Sequence, residues 1–162
     1  MQHDPDHASA YVNLAEVYAA LNQPEKAEHA IQEALNKNDM AAADLSNLGL
    51  VLMRMNQYDR AIQVLSRAVA LDPSFPGYLF NQANALAAND QFDEAEAAYR
   101  QCIALAPTHA GAHTALGIVL AETNRLQDAV VEFRVAVRLQ PNDEVALDSL
   151  KKAQDLLIGN AH

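Results

Sequence analysis

Apolar residues along this chain fall three and four positions apart in stretches of about a dozen, with polar residues between them. Leu48, Gly49 and Leu52 share one helical face, as do Ala61, Leu65 and Ala68. This periodicity marks amphipathic helices, and it predicts them over 8–21, 24–37, 42–55, 58–71, 76–89, 92–105, 110–123, 126–139 and 143–158. The positions repeat on a longer scale as well. Ala27, Ala61, Ala95 and Ala129 stand 34 residues apart, and Pro73, Pro107 and Pro141 keep the same interval. One small and one helix-stopping residue per cycle describe a two-helix unit that cannot bury its own apolar face and stacks on copies of itself. The expected fold is all-α, an array of helical hairpins.

Further columns sharpen the unit. Leu14-Ala15, Leu48-Gly49 and Leu116-Gly117 pair a large residue with a small one, and Ala83 continues the small column. Tyr18, Leu52, Leu86 and Leu120 follow three residues on, and Ile31, Leu65, Tyr99 and Phe133 stand four residues after each repeated alanine. Small residues facing bulky ones allow two helices to cross closely. Asn22, Asn56, Asp90 and Asn124 occupy the turn inside each hairpin. Asn and Asp enter the left-handed conformation more readily than other non-glycine residues, so they are expected to end each first helix as a glycine would. Pro24 and Pro76 suit the first turn of a helix, where a missing N–H costs nothing.

Tyr11, Leu14, Ala15, Tyr18, Ala27 and Ile31 follow in order the W-x-x-L-G-x-x-Y…A-x-x-x-F pattern of the tetratricopeptide repeat, which the chain resembles over most of its length. The resemblance implies a right-handed superhelix with copies at 8–41, 42–75, 76–109 and 110–143. Three positions depart from it: Gln82 replaces the leucine of the third copy, Asp39 stands in the proline column, and His113 takes the first aromatic column of the fourth. Residues 1–7 read as the remnant of an upstream repeat, because Asp4-Pro5 lies two periods before Asp72-Pro73. An upstream continuation and a first hairpin able to self-associate are expected. Residues 144–162 read as a closing helix and tail, with Ala146, Leu150, Ala153 and Leu157 on its inner stripe.

Composition narrows the function. With 21 acidic and 11 basic residues the net charge is −10, which opposes a phosphate backbone, so nucleic acid is not an expected partner. No apolar run is long enough for a bilayer span, and the first ten residues lack the features of a signal peptide. The chain as given reads as soluble, with cytoplasm the favoured setting and the compartment itself open. Cys102 has no cysteine partner and sits in a small-residue column, which gives it a packing role.

No constellation points to catalysis, a metal or a cofactor. His3/His7 and His109/His113 have the spacing that places two imidazoles on one helical face, but the first pair lies in a loose end and the second has no third ligand nearby in sequence. Glu25, Asp59, Asp93 and Glu94 open second helices, where the helix dipole favours negative charge. The expected product is a non-catalytic interaction module.

The resemblance implies an inner groove lined by first-helix residues one step on from the core positions. That stripe is Val12, Glu16, Ala19 and Ala20; Ser46, Leu50, Met53 and Arg54; Phe80, Asn84, Ala87 and Ala88; and Thr114, Ile118, Ala121 and Glu122. Leu50 and Ile118 are equally suited to packing between copies. Asn13, Asn47 and Asn81 form a ladder of amides ending at Ala115, similar to arrays attached to O-linked N-acetylglucosamine transferases. An amide both donates and accepts, which suits the peptide units of an extended segment, though it equally suits bonds within the stack. Arg54 alone is basic, so a clamp for a C-terminal carboxylate, as in chaperone-associated members of the family, is not expected. Three readings follow: a peptide- or protein-binding scaffold, the substrate-recruiting arm of a larger enzyme such as a glycosyltransferase, or a self-assembling scaffold.

Overall fold

The computed structural model describes residues 6–37 and 40–159. Among them are nine helices: α1 (Asp6–Ala20), α2 (Pro24–Leu35), α3 (Ala42–Arg54), α4 (Tyr58–Leu71), α5 (Pro76–Ala88), α6 (Phe92–Leu105), α7 (Ala110–Glu122), α8 (Leu126–Leu139) and α9 (Glu144–Gly159). Their ends fall within about two residues of the periodicity's expectation. Met1, His3, Asp4, Pro5, Asp39 and the tail beyond Gly159 lie outside the described residues, as does the side chain of His7, so the remnant and the first histidine pair are not addressed.

The turns inside the hairpins are built alike. Asn22, Asn56, Asp90 and Asn124 take φ of 54°, 58°, 57° and 61°, and no other described non-glycine residue has positive φ. Each closes a Schellman motif. In the first, the Asn22 N–H donates to Ala19 O at 3.1 Å and the Gln23 N–H to Tyr18 O at 2.9 Å. The next residue starts the following helix directly, since Gln23, Gln57, Gln91 and Arg125 accept through their carbonyls from Ala27, Ala61, Ala95 and Ala129. A three-residue reversal of this kind fixes where the second helix begins.

The chain forms two compact units, residues 1–85 and 86–162, divided within α5. In the first, α1 packs on α2, α3 on α4, and α1 beside α3. Its core is a continuous cluster around Ile31, Leu45, Leu48, Leu52 and Leu65. In the second, α7 packs on α6 and α8, and α9 covers α8 through buried Ala146 and Ala153. Tyr99, Cys102, Leu116, Leu120 and Phe133 are buried there. The small column sets the closeness of each hairpin. A Cβ on Gly49 would lie 2.5 Å from Leu65 Cγ, and one on Gly117 2.5 Å from Phe133 Cε1.

One core expectation fails. Leu14 is 43% exposed, whereas its equivalents Leu48 and Leu116 are buried. The reason lies in what this column faces. Gln82, in the same column, donates from Nε2 to Ser66 Oγ of α4 at 2.8 Å, so the column meets the second helix of the preceding hairpin. No described helix precedes α1, and Leu14, Val17 and Leu21 stay open. None of the described helices is long and apolar enough to cross a membrane.

Candidate functional site

Clefts form beside first helices in each unit. In the first unit, Asn47, Leu50, Val51 and Arg54 recur on α3 at intervals that place them on one face, and Glu16 of α1 stands opposite. Together they line a cleft of about 90 Å³. Val51 is its buried floor, while Glu16, Asn47, Leu50 and Arg54 are exposed. Neither Glu16 nor Arg54 forms an ion pair among the described residues, and the Asn47 amide makes no side-chain hydrogen bond there. The cleft therefore offers an apolar contact, an amide that donates and accepts, and a guanidinium fork.

In the second unit a cleft of about 200 Å³ opens between α7 and α9 above α8. Ile118, Ala121 and Glu122 form one wall and Ser149, Lys152, Ala153 and Leu156 the other, with Leu126 and buried Phe133 beneath. The α9 wall is not among the positions that the first-helix stripe predicts. Its signal was present: Lys152 and Leu156 stand one 34-residue period after Ile118 and Glu122.

The structure sorts the expected stripe. Glu16, Asn47, Leu50 and Arg54 come together in the first cleft, and Ile118 and Glu122 in the second. Val12, Ser46 and Thr114, expected to line a groove, are buried, because the leading edge of the stripe turns into the packing between adjacent helices. Met53 and Ala19 are half-buried against the first unit's core. Phe80 and Asn84 are half-buried, Asn13 is exposed, and none of the three lines either cleft. Leu50 and Ile118 remain substantially exposed.

The amide ladder is uneven. Asn81 donates from Nδ2 to Ser46 Oγ at 3.0 Å, a bond within the helix stack. The residue 35 positions before Asn47 is Val12, which has no side-chain acceptor, so the Asn47 amide stays open. The remaining histidine pair is also engaged structurally. His109 Nδ1 accepts from the Ala112 N–H at 3.1 Å and caps α7. His113 is buried, with Nδ1 2.7 Å from Glu132 Oε2 and Nε2 3.1 Å from Pro107 O.

Sequence models described as tetratricopeptide repeat match residues 1–48, 46–108 and 80–144. The chain belongs to the tetratricopeptide repeat family. A search of curated proteins finds no match to this tetratricopeptide repeat chain. Among solved structures it is similar to YrrB, described as a tetratricopeptide repeat protein with an unusual peptide-binding site, at 26% identity, 91% coverage of this chain, 76% of that chain and a TM-score of 0.79. It is also similar to the first tetratricopeptide repeat domain of Spaghetti (RPAP3) bound to the HSP90 peptide SRMEEVD, at 25% identity, 72% and 93% coverage and a TM-score of 0.71. MamA shares the tetratricopeptide repeat fold at 21% identity, 93% and 82% coverage and a TM-score of 0.79.

Proposed function

We propose that this chain is a non-catalytic protein-interaction module of four repeats, 8–41, 42–75, 76–109 and 110–143, with 144–162 closing the array, and that it holds an extended segment of a partner protein against first-helix residues. The observation that carries the reading is the first cleft, where an unbonded amide and an unpaired guanidinium flank exposed Leu50. Peptide-bound and peptide-binding relatives support it. Preformed helices present these groups with little reordering on binding.

Magnitudes set the class of affinity. Side-chain hydrogen bonds contribute about 0.5–1.5 kcal/mol each, too little alone against an association cost of roughly 4–15 kcal/mol. Partner side chains buried on Leu50, at about 1.5–3 kcal/mol each, are needed as well. Micromolar-class binding is expected. Glu16 opposite Arg54 disfavours a clamp for a free carboxylate and favours recognition of peptide units and apolar side chains. Screening an immobilised peptide library with the wild type and with Asn47→Ala/Leu50→Ala tests this. Peptides that bind should lose affinity at least tenfold in the variant, and retention of the same bound set would refute the assignment.

A second reading is favoured by α1, whose Leu14, Val17 and Leu21 are 43%, 52% and 60% exposed in columns that later copies bury or half-bury. This face supports self-association through the first hairpin. Light scattering over a hundredfold concentration range should show mass growth that Leu14→Glu abolishes, and constant monomer mass would refute it.

A further inference from the structure

We infer that the cleft between α7 and α9 is an anchor pocket for one bulky apolar side chain of a peptide that also carries a lysine or arginine within two residues. The inference rests on the peptide-binding reading above and names the chemistry the second cleft would select. Its walls are Ile118, Ala121, Ala153 and Leu156, and its floor is the buried Phe133 ring. Apolar cavities of about 150 Å³ already admit a six-carbon ring, so about 200 Å³ accommodates a leucine, methionine or phenylalanine side chain. Ile118 and Leu156 are about half exposed at the mouth, where an incoming apolar group would cover them.

The mouth also has a sign. Lys152 is paired with Asp148 at 2.6 Å in an exposed i,i+4 contact, so these two charges offset one another in the local count. Glu122, on the opposite wall, is exposed and makes no ion pair among the described residues. Glu122 and Asp148 against Lys152 leave one net negative charge beside an apolar pocket, on a chain of net charge −10. A cation next to the anchoring side chain satisfies the Glu122 carboxylate, while an acidic neighbour meets repulsion, so charge decides which apolar segments are accepted.

The test is a methyl-detected NMR titration of the full chain with capped eight-residue glycine-serine peptides. The first carries one leucine with a lysine two residues later. In the second alanine replaces the leucine, and in the third glutamate replaces the lysine. The first should shift the methyl signals of Ile118, Leu126 and Leu156, the second should bind at least about tenfold more weakly, and the third about threefold more weakly. Glu122→Gln should abolish the lysine-over-glutamate preference while leaving the leucine preference intact. Shifts confined to Leu50 and Val51 would overturn this pocket and leave the general peptide-binding reading standing. No shift at the second cleft, equal binding of the alanine peptide, or an unchanged charge preference in Glu122→Gln would also overturn it.

Discussion

Replacing Gly117 by alanine sets two opposing effects against each other. Alanine is the better helix residue by about 0.5–1 kcal/mol, so an open site in mid-helix would gain stability. At Gly117 the added Cβ would sit 2.5 Å from Cε1, 2.7 Å from Cδ1 and 3.0 Å from Cζ of Phe133. These are ring atoms of a side chain only 2% exposed, so the ring must push into its packed surroundings. Overpacking of this kind costs about 1–3 kcal/mol, which leaves a net destabilisation of about 0–2.5 kcal/mol, centred near 1. Urea unfolding followed by circular dichroism measures the loss, and amide exchange should localise it to α7 and α8. Phe133→Ile, which brings in the residue found at this place as Ile31 in the first hairpin opposite Ala15, should relieve the clash. The double variant should be more stable than additivity predicts by more than about 0.5 kcal/mol. Because Phe133 floors the second cleft, Gly117→Ala should weaken binding there too. A variant stabilised by the full helix gain, or strict additivity with Phe133→Ile, would refute the close-packing argument.

Three further outcomes follow from single sites. The Arg60 hydrogen bond to Glu28, 2.8 Å at its shorter contact and only partly opposed by burial, holds that carboxyl below its usual 4.5. A folded-state value below the unfolded one makes the contribution complete above about pH 4.5, and it is lost as pH falls through the folded value. For these half-exposed groups it amounts to about 0.2–1 kcal/mol, and the stability difference between wild type and Glu28→Gln at pH 7 should shrink in urea melts as pH falls below 4.5 through the folded-state value; a difference independent of pH would refute it. Burial pushes the Cys102 thiol up, so a colourimetric disulfide reagent should label it only under unfolding conditions; prompt labelling in the native state would contradict its packing role. His113→Ala leaves Glu132 without its imidazole partner and opens a cavity, and should cost about 2–4 kcal/mol in the second unit by denaturant titration.

Much of this architecture was legible because it is encoded locally. Helix positions follow from apolar spacing, and the reversals at Asn22, Asn56, Asp90 and Asn124 from the few residue types that tolerate positive φ. The pairing of Gly49 with Leu65 and Gly117 with Phe133 follows from columns that recur with the period, since hairpin partners lie only 16 residues apart. Each depends on neighbours the chain itself supplies within one hairpin.

Tertiary packing decided what the lining of the first helices does. Val12 and Leu14 lie two residues apart on α1, yet packing buried the one expected at a groove and exposed the one expected in the core. Asn47 and Asn81 occupy the same column, but the residue packed alongside is Ser46 for Asn81, and that one hydroxyl separates an amide held within the stack from one left free. The second cleft exists because α9 brings Lys152 and Leu156 beside Ile118 and Glu122. Repeat periodicity determines which residues share a column; whether a column is buried, bonded or open depends on the helix that lies across it, and that neighbour is set by packing rather than by any single segment of sequence.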